Sequence, residues 1–182
     1  MSQSWEDTLC RARGGDEAAL GALWRSLNPA LLRYLSVRDP AHCEDLASET
    51  WLQVVRDLPR FSGNAEDFRR WLFSVARNRS VDALRWRRRQ PPVVPEPLPD
   101  VVCGNLTEVA AVERLSTAEA IRLIRGLPRD QADVVALRMI ADLDVHTTAA
   151  LLGKSTGAVR VLCHRGLKTL AGQLQPMSRV SP

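Results

Sequence analysis

The chain has 182 residues, and its 25 Lys or Arg against 21 Asp or Glu give a formal net charge of +4. That length accommodates one or two small domains and excludes a large barrel. Leu (25), Arg (23) and Ala (21) are all good helix formers, whereas Ile occurs three times and aromatics nine times, a balance that excludes an all-β fold.

In chain order, Asp16 is placed to cap a helix on which Leu20, Leu23, Trp24 and Leu27 share one face. Pro29 is expected to open the next helix, through Leu31, Leu32 and Leu35. Asp39-Pro40 starts a third, with Ala47, Trp51, Val54, Val55 and Leu58 as its apolar stripe and Asp45, Ser48, Glu49 and Leu52 on another face. After the turn-like Arg60-Phe61-Ser62-Gly63-Asn64, a long helix begins near Ala65, buries Phe68, Trp71, Leu72 and Val75, and runs to Arg89.

Residues 91–113 carry five prolines in their first nine positions, four acids (Glu96, Asp100, Glu108, Glu113) and no base, the composition of an extended linker. Beyond it, Ser116-Thr117-Ala118-Glu119 has the form of a capping box before Ile121, Ile124 and Leu127, and Pro128 opens a helix through Val134, Leu137 and Met139. A short helix from Val145 to Leu152 stops at Gly153, and Ser155 caps a last helix to about Leu174. The expected architecture is all-α: two small helical domains, 1–90 and 114–175, joined by the Pro-rich linker, with a polar tail at 176–182.

No stretch approaches the roughly 18–20 uncharged apolar residues of a membrane span, and the opening MSQSWEDTLCR is acidic and lacks an apolar leader core, so a cytoplasmic protein without membrane insertion is expected. Cys10, Cys43, Cys103 and Cys163 stand singly, which argues for reduced thiols over a disulfide framework or a closed zinc site. His42, His146 and His164 have no Cys or acid arranged as a triad, and there is no Gly-rich phosphate loop. No enzyme activity, cofactor, metal or small-molecule substrate is therefore expected.

The charge is segregated. Residues 69–89 hold eight Arg and one acid, Asp82, whereas residues 39–67 hold seven acids and two bases. On the basic helix Asn78, Asp82, Arg85 and Arg89 share a polar face suited to bases and phosphates, and Phe61 on the preceding loop is placed to stack on an unpaired base. Phe61 packed in the core is the competing reading. Trp86, among arginines, resembles the aromatics of single-strand binders, although packing is the commoner fate of a tryptophan. The acidic stretch would repel DNA and suits a basic protein partner. Residues 144–170 form helix, tight turn, helix, the arrangement that sets a second helix in a major groove, with Arg160, His164, Arg165 and Lys168 projecting and Val159, Cys163 and Leu170 facing inwards.

The succession EDLASETWLQVV, RFSGNAEDFRRWLFSVARNRSVDALRWRRR, Pro-rich linker, LPRDQADVVALRMI and AALLGKSTGAVRVLCHRGLKTL resembles the bacterial extracytoplasmic-function (ECF) sigma factors. The resemblance covers roughly residues 10–172 and is strongest over 68–89. It implies that the first domain grips the clamp helices of the RNA polymerase β′ subunit and opens the minus-ten element, and that the second reads the minus-thirty-five element as duplex and meets the β flap. By resemblance, Asp45, Ser48, Glu49 and Leu52 face the polymerase. Phe61 and Asn64, in the loop to Ala65, capture a flipped base. Arg77, Asn78, Arg79, Asp82 and Arg85 line the melted strand. Ser155, Thr156, Arg160, Val161, His164, Arg165 and Lys168 lie against the minus-thirty-five duplex. An anti-sigma protein is a further partner that the resemblance implies.

There are departures. Ser48 stands where the family commonly has Gln, and Val161 and Leu162 stand where Ser and Arg are usual, which predicts fewer polar contacts to the minus-thirty-five element. The segment HTTAALLG lacks the family's usual pair of acids. The rival reading of the chain is a freestanding helix-turn-helix regulator, its N-terminal domain sensing a ligand or dimerising, that binds duplex DNA without polymerase.

Overall fold

The computed structural model describes residues 3–89 and 108–174, with side chains over 4–89 and 117–174. Those residues form helices and turns with no strand, in two compact units. The first takes in α1 (Gln3–Arg13), α2 (Glu17–Arg38) as far as Leu35, α3 (Cys43–Asp57) and α4 (Ala65–Arg87); the second takes in α5 (Glu108–Arg125), α6 (Arg129–Val135), α7 (Val145–Leu152) and α8 (Thr156–Leu174). Among the described residues no helix is long and apolar enough to cross a membrane.

In the first unit Asp16 caps α2 as its position predicts. One carboxylate oxygen accepts from the Ala19 amide at 3.0 Å, and the other takes the Arg11 guanidinium at 2.6 and 2.8 Å. The Ala19 amide and then Arg11 hold this carboxyl below its ordinary pKa. α2 does not break at Pro29, contrary to expectation. Pro29 is exposed, so water reaches the carbonyl that it leaves unpaired, while Leu27 and Leu31 on either side are fully buried and keep the helix in one piece.

Leu23, Leu27, Leu31, Tyr34, Val54, Phe68, Leu72 and Phe73 make the core, with the Tyr34 and Phe73 rings edge to face at 5.5 Å. The indole N–H of Trp51 donates to Asn28 at 3.0 Å, which ties α3 to α2. Two residues expected in the apolar stripes, Trp24 and Val55, are instead exposed. Helical spacing selects a face, but the width of the neighbouring helix decides how much of that face is covered.

The linker from residue 91 to 107 and the tail beyond 174 lie outside the described residues. Residues 108–113, assigned to the linker from sequence, are helical, and α5 passes without interruption through the Ser116 capping-box pattern. Glu108 begins a proline-free run with apolar residues at Val109, Val112 and Leu115, so the upstream helix start prevails.

The core of the second unit joins Val134, Ala149 and Val159, flanked by Val145, Leu152, Leu162 and Cys163. α6 ends in a π-helical turn, Ala136–Ile140, closed by the Ala141 amide on the Ala136 carbonyl at 3.0 Å. The extra residue in that turn shifts the facing of the chain, and Met139 is exposed while Leu137 is fully buried. α8 approaches α6 at the buried Gly166, where a Cβ would sit 2.7 Å from Val135 Cγ2 and 3.5 Å from Gln131 and Leu127. Gly166→Val is therefore expected to destabilise the second unit by about 2 kcal/mol, read as a lowered thermal midpoint.

α7 has the boundaries that the sequence predicts. Asp144 accepts from the amides of His146 (2.7 Å) and Thr147 (2.9 Å) and from the Thr147 hydroxyl, and these bonds, Thr147's first, lower its pKa from 3.8 to about 2. Gly153 ends α7 in the left-handed conformation, φ 62°, where its amide and that of Lys154 return to the last turn. The unfolded chain protonates Asp144 more readily than the folded one, so this stabilisation is complete above pH 4 and is lost as the pH falls from about 4 towards 2. Asp144→Ala is expected to cost about 1 kcal/mol at pH 7, and Asp144→Asn, which keeps a capping oxygen, to flatten the acid limb of the stability profile measured by thermal unfolding.

Candidate nucleic-acid interface

The loop between α3 and α4 is built from short-range contacts. A 3₁₀ turn, Leu58–Arg60, is closed by the Phe61 amide on the Leu58 carbonyl at 3.0 Å. Asn64 and Asp67 then form a reciprocal capping box: the Asp67 amide donates to the Asn64 side chain at 2.9 Å, and the Asn64 amide donates to the Asp67 carboxylate at 3.2 Å. Phe61 is half-buried, stacked on Trp71 at 5.0 Å and edge-on to Phe68 at 5.7 Å. The ring is thus packed against α4 while remaining only partly covered. Gly63 has no room for a side chain, because a Cβ would lie 2.7 Å from that of Asp67 and 2.8 Å from the Phe61 ring.

α3 and α4 pack side by side and leave between them an open groove of about 660 Å³. Asp45, Glu49 and Gln53 line it from α3, and Asn78, Arg79, Asp82 and Trp86 from α4. Asp45, Ser48, Glu49 and Leu52 are all exposed, Leu52 to 67%, so the expected docking face presents two carboxylates around a bare leucine. Arg79 is held by α3: its Nε donates to Gln53 at 3.0 Å and its terminal nitrogen lies 3.5 Å from Glu49. A residue expected on DNA and one expected on polymerase are therefore neighbours.

Asn78, Asp82 and Arg85 are exposed, with Asp82 and Arg85 3.7 Å apart on successive turns. Arg77 is half-buried, and its enclosed Nε has no hydrogen-bond partner among the described residues. Trp86, for which packing was the default expectation, is 61% exposed. Beside it Arg87 donates to Nδ1 of His42, a contact across the groove that sequence reasoning did not anticipate. Nothing in the spacing of either helix signals the His42, Gln53 and Arg87 contacts, because they depend on how the two helices lie against each other.

In the second unit the Ser155 hydroxyl accepts from the Ala158 amide at 3.1 Å and caps α8. Arg160, Val161, His164, Arg165 and Lys168 are exposed along α8, Thr156 is half-buried at its start, and Val159 is buried as expected. Cys163 and Leu170 are half-covered. Lys154, in the turn, pairs with Asp130 at 2.9 Å. The outer face of α8 thus carries three fixed cations and a histidine, able to meet phosphates or base edges, interrupted by a valine that can do neither. Cys10, Cys43 and Cys163 are free thiols, and no group of His, Cys, Asp or Glu among the described residues is arranged to hold a metal.

Comparison with known proteins agrees with this geometry. Residues 23–90 match sigma-70 region 2 and residues 117–170 match sigma-70 region 4, the two regions falling on the two units in that order. The pair defines a sigma factor. The chain is 33% identical over 172 residues to the ECF RNA polymerase sigma factor BldN of Streptomyces coelicolor, covering 93% of this chain and 65% of BldN's length. It is 30% identical to the ECF sigma factor SigD of Mycobacterium tuberculosis over 173 residues, covering 91% of this chain and 82% of SigD. This chain belongs to the ECF sigma factor family. Among solved structures, CnrH in complex with the cytosolic domain of CnrY shares the fold, with a TM-score of 0.61 at 20% identity, covering 94% of this chain and 97% of CnrH.

Proposed function

We propose that the protein directs core RNA polymerase to particular promoters in the bacterial cytoplasm and begins DNA opening there, by binding and not by covalent catalysis. The observation that carries this reading is the groove between α3 and α4, which sets Asp45 and Glu49 beside Asn78 and Arg79 within one packed helix pair. Polymerase docking on α3 brings α4 to the minus-ten element.

Asp45, Ser48, Glu49 and Leu52 take the β′ clamp. Phe61 and Asn64 receive an extruded base, while Arg77, Asn78, Arg79, Asp82 and Arg85 follow the separated strand. Unstacking costs a few kcal/mol per step, and base stacking returns about 1–3 kcal/mol for each captured base. Ser155, Thr156, Arg160, Val161, His164, Arg165 and Lys168 face the minus-thirty-five duplex, the second unit also meeting the β flap. Val161 supplies no donor to a base edge and Leu162 packs against the core, so base reading there falls to Arg160, His164, Arg165 and Lys168. An anti-sigma protein belongs to the same proposal on family resemblance, and pull-down from native cells reports it together with polymerase.

Run-off transcription with purified core and genomic promoter fragments tests the reading. Start sites that appear on adding the protein support it. Tight binding of the free protein to a palindromic duplex, with no stimulation of core, identifies a freestanding regulator.

A further inference from the structure

α1 was not anticipated from the sequence, and it reaches the loop assigned to base capture. The first four amides of a helix have no partner within it and need outside acceptors. At the start of α4, Asn64 serves the Asp67 amide, and the Ala65 amide donates instead to Glu6 Oε1 of α1 at 2.9 Å. Next to Glu6, the Trp5 ring packs on Phe68 at 6.3 Å, and Phe68 is the ring that Phe61 meets edge-on. α1 also lies against the Leu58–Arg60 turn that leads into the loop.

We propose that Glu6 is a positioning residue for base capture: it holds the first amide of α4 from outside the loop and so fixes the path from Phe61 to Ala65. This rests on the reading of that loop given above. Losing the acceptor leaves the Ala65 amide without its partner, frees the loop to relax and lets Phe61 leave the position in which a base meets it. A negative charge at a helix start is favourable, yet the same charge lies close to where strand phosphates pass. Geometry and charge therefore act in opposite directions, and two substitutions separate them. Glu6→Gln keeps an oxygen acceptor and removes the charge, whereas Glu6→Ala removes both.

Holoenzymes assembled with each variant are compared on a promoter already unpaired around minus ten, with 2-aminopurine beside the captured base. Glu6→Ala is expected to lower the fluorescence rise on binding about 5–10-fold in apparent affinity, while Glu6→Gln stays at or above the wild-type level and both co-elute with core as wild type does. Equal capture by wild type and Glu6→Ala overturns the proposal, as does an equal gain by both variants, which would assign Glu6 to charge alone. A wild-type holoenzyme that gives no rise, with Phe61→Ala indistinguishable from it, fails the base-capture reading itself and the proposal with it. Capture by wild type that Phe61→Ala abolishes and Glu6→Ala leaves intact overturns the positioning role only.

Discussion

Reversing two charges on α3 together, Asp45→Arg with Glu49→Arg, is expected to weaken binding to core polymerase by about 100-fold without unfolding the protein. Both carboxylates are exposed, so neither substitution disturbs the core. Close charge pairs at protein interfaces couple by about 1.5 kcal/mol at the low end, and two such losses make about 3 kcal/mol, or two orders of magnitude. The reversal at Glu49 also removes the carboxylate 3.5 Å from Arg79, an exposed pair that adds little to folding. Competition with the wild type for core polymerase, alongside thermal unfolding of each protein, measures the effect. Unchanged competition would show that this face of α3 is not the docking surface.

Asn78→Ala is expected to slow opening of duplex promoters by about 10–100-fold, from the roughly 1–3 kcal/mol that a well-placed side-chain amide contributes to base recognition. Asn78 is exposed on the groove side of α4 and makes no core contact. Its loss therefore falls on DNA and spares the fold. A template already unpaired around minus ten should restore most of the activity, because unstacking no longer has to be offset by new contacts. Equal loss on duplex and unpaired templates would contradict the role.

Local signals set the elements that the sequence revealed best. Asp144 with Gly153 fixes both ends of α7, and Asn64 with Asp67 fixes the start of α4, because each is a side chain or a backbone conformation acting within four residues. α1 escaped notice because its apolar stripe is only three residues, Trp5, Leu9 and Ala12 at i, i+4 and i+7; Leu9 and Ala12 enter the core and Trp5 packs on Phe68. Pro29 misled because packing of Leu27 and Leu31 outweighs one missing hydrogen bond. The exposure of Asp45, Ser48, Glu49 and Leu52 followed from spacing on one helix, which reports one face well. The Arg79 contacts with Gln53 and Glu49, and that of Arg87 with His42, did not, since they arise between helices 26 to 45 residues apart in sequence.

On the proposed reading, α3 and α4 open DNA only as part of a polymerase complex. Permanganate reactivity of thymines around minus ten, on promoter fragments selected by the assembled holoenzyme, reports that opening. Thymines are expected to react with core and protein together and with neither alone. Promoters that stay unreactive with the complete holoenzyme, or that open with the free protein, would contradict that reading.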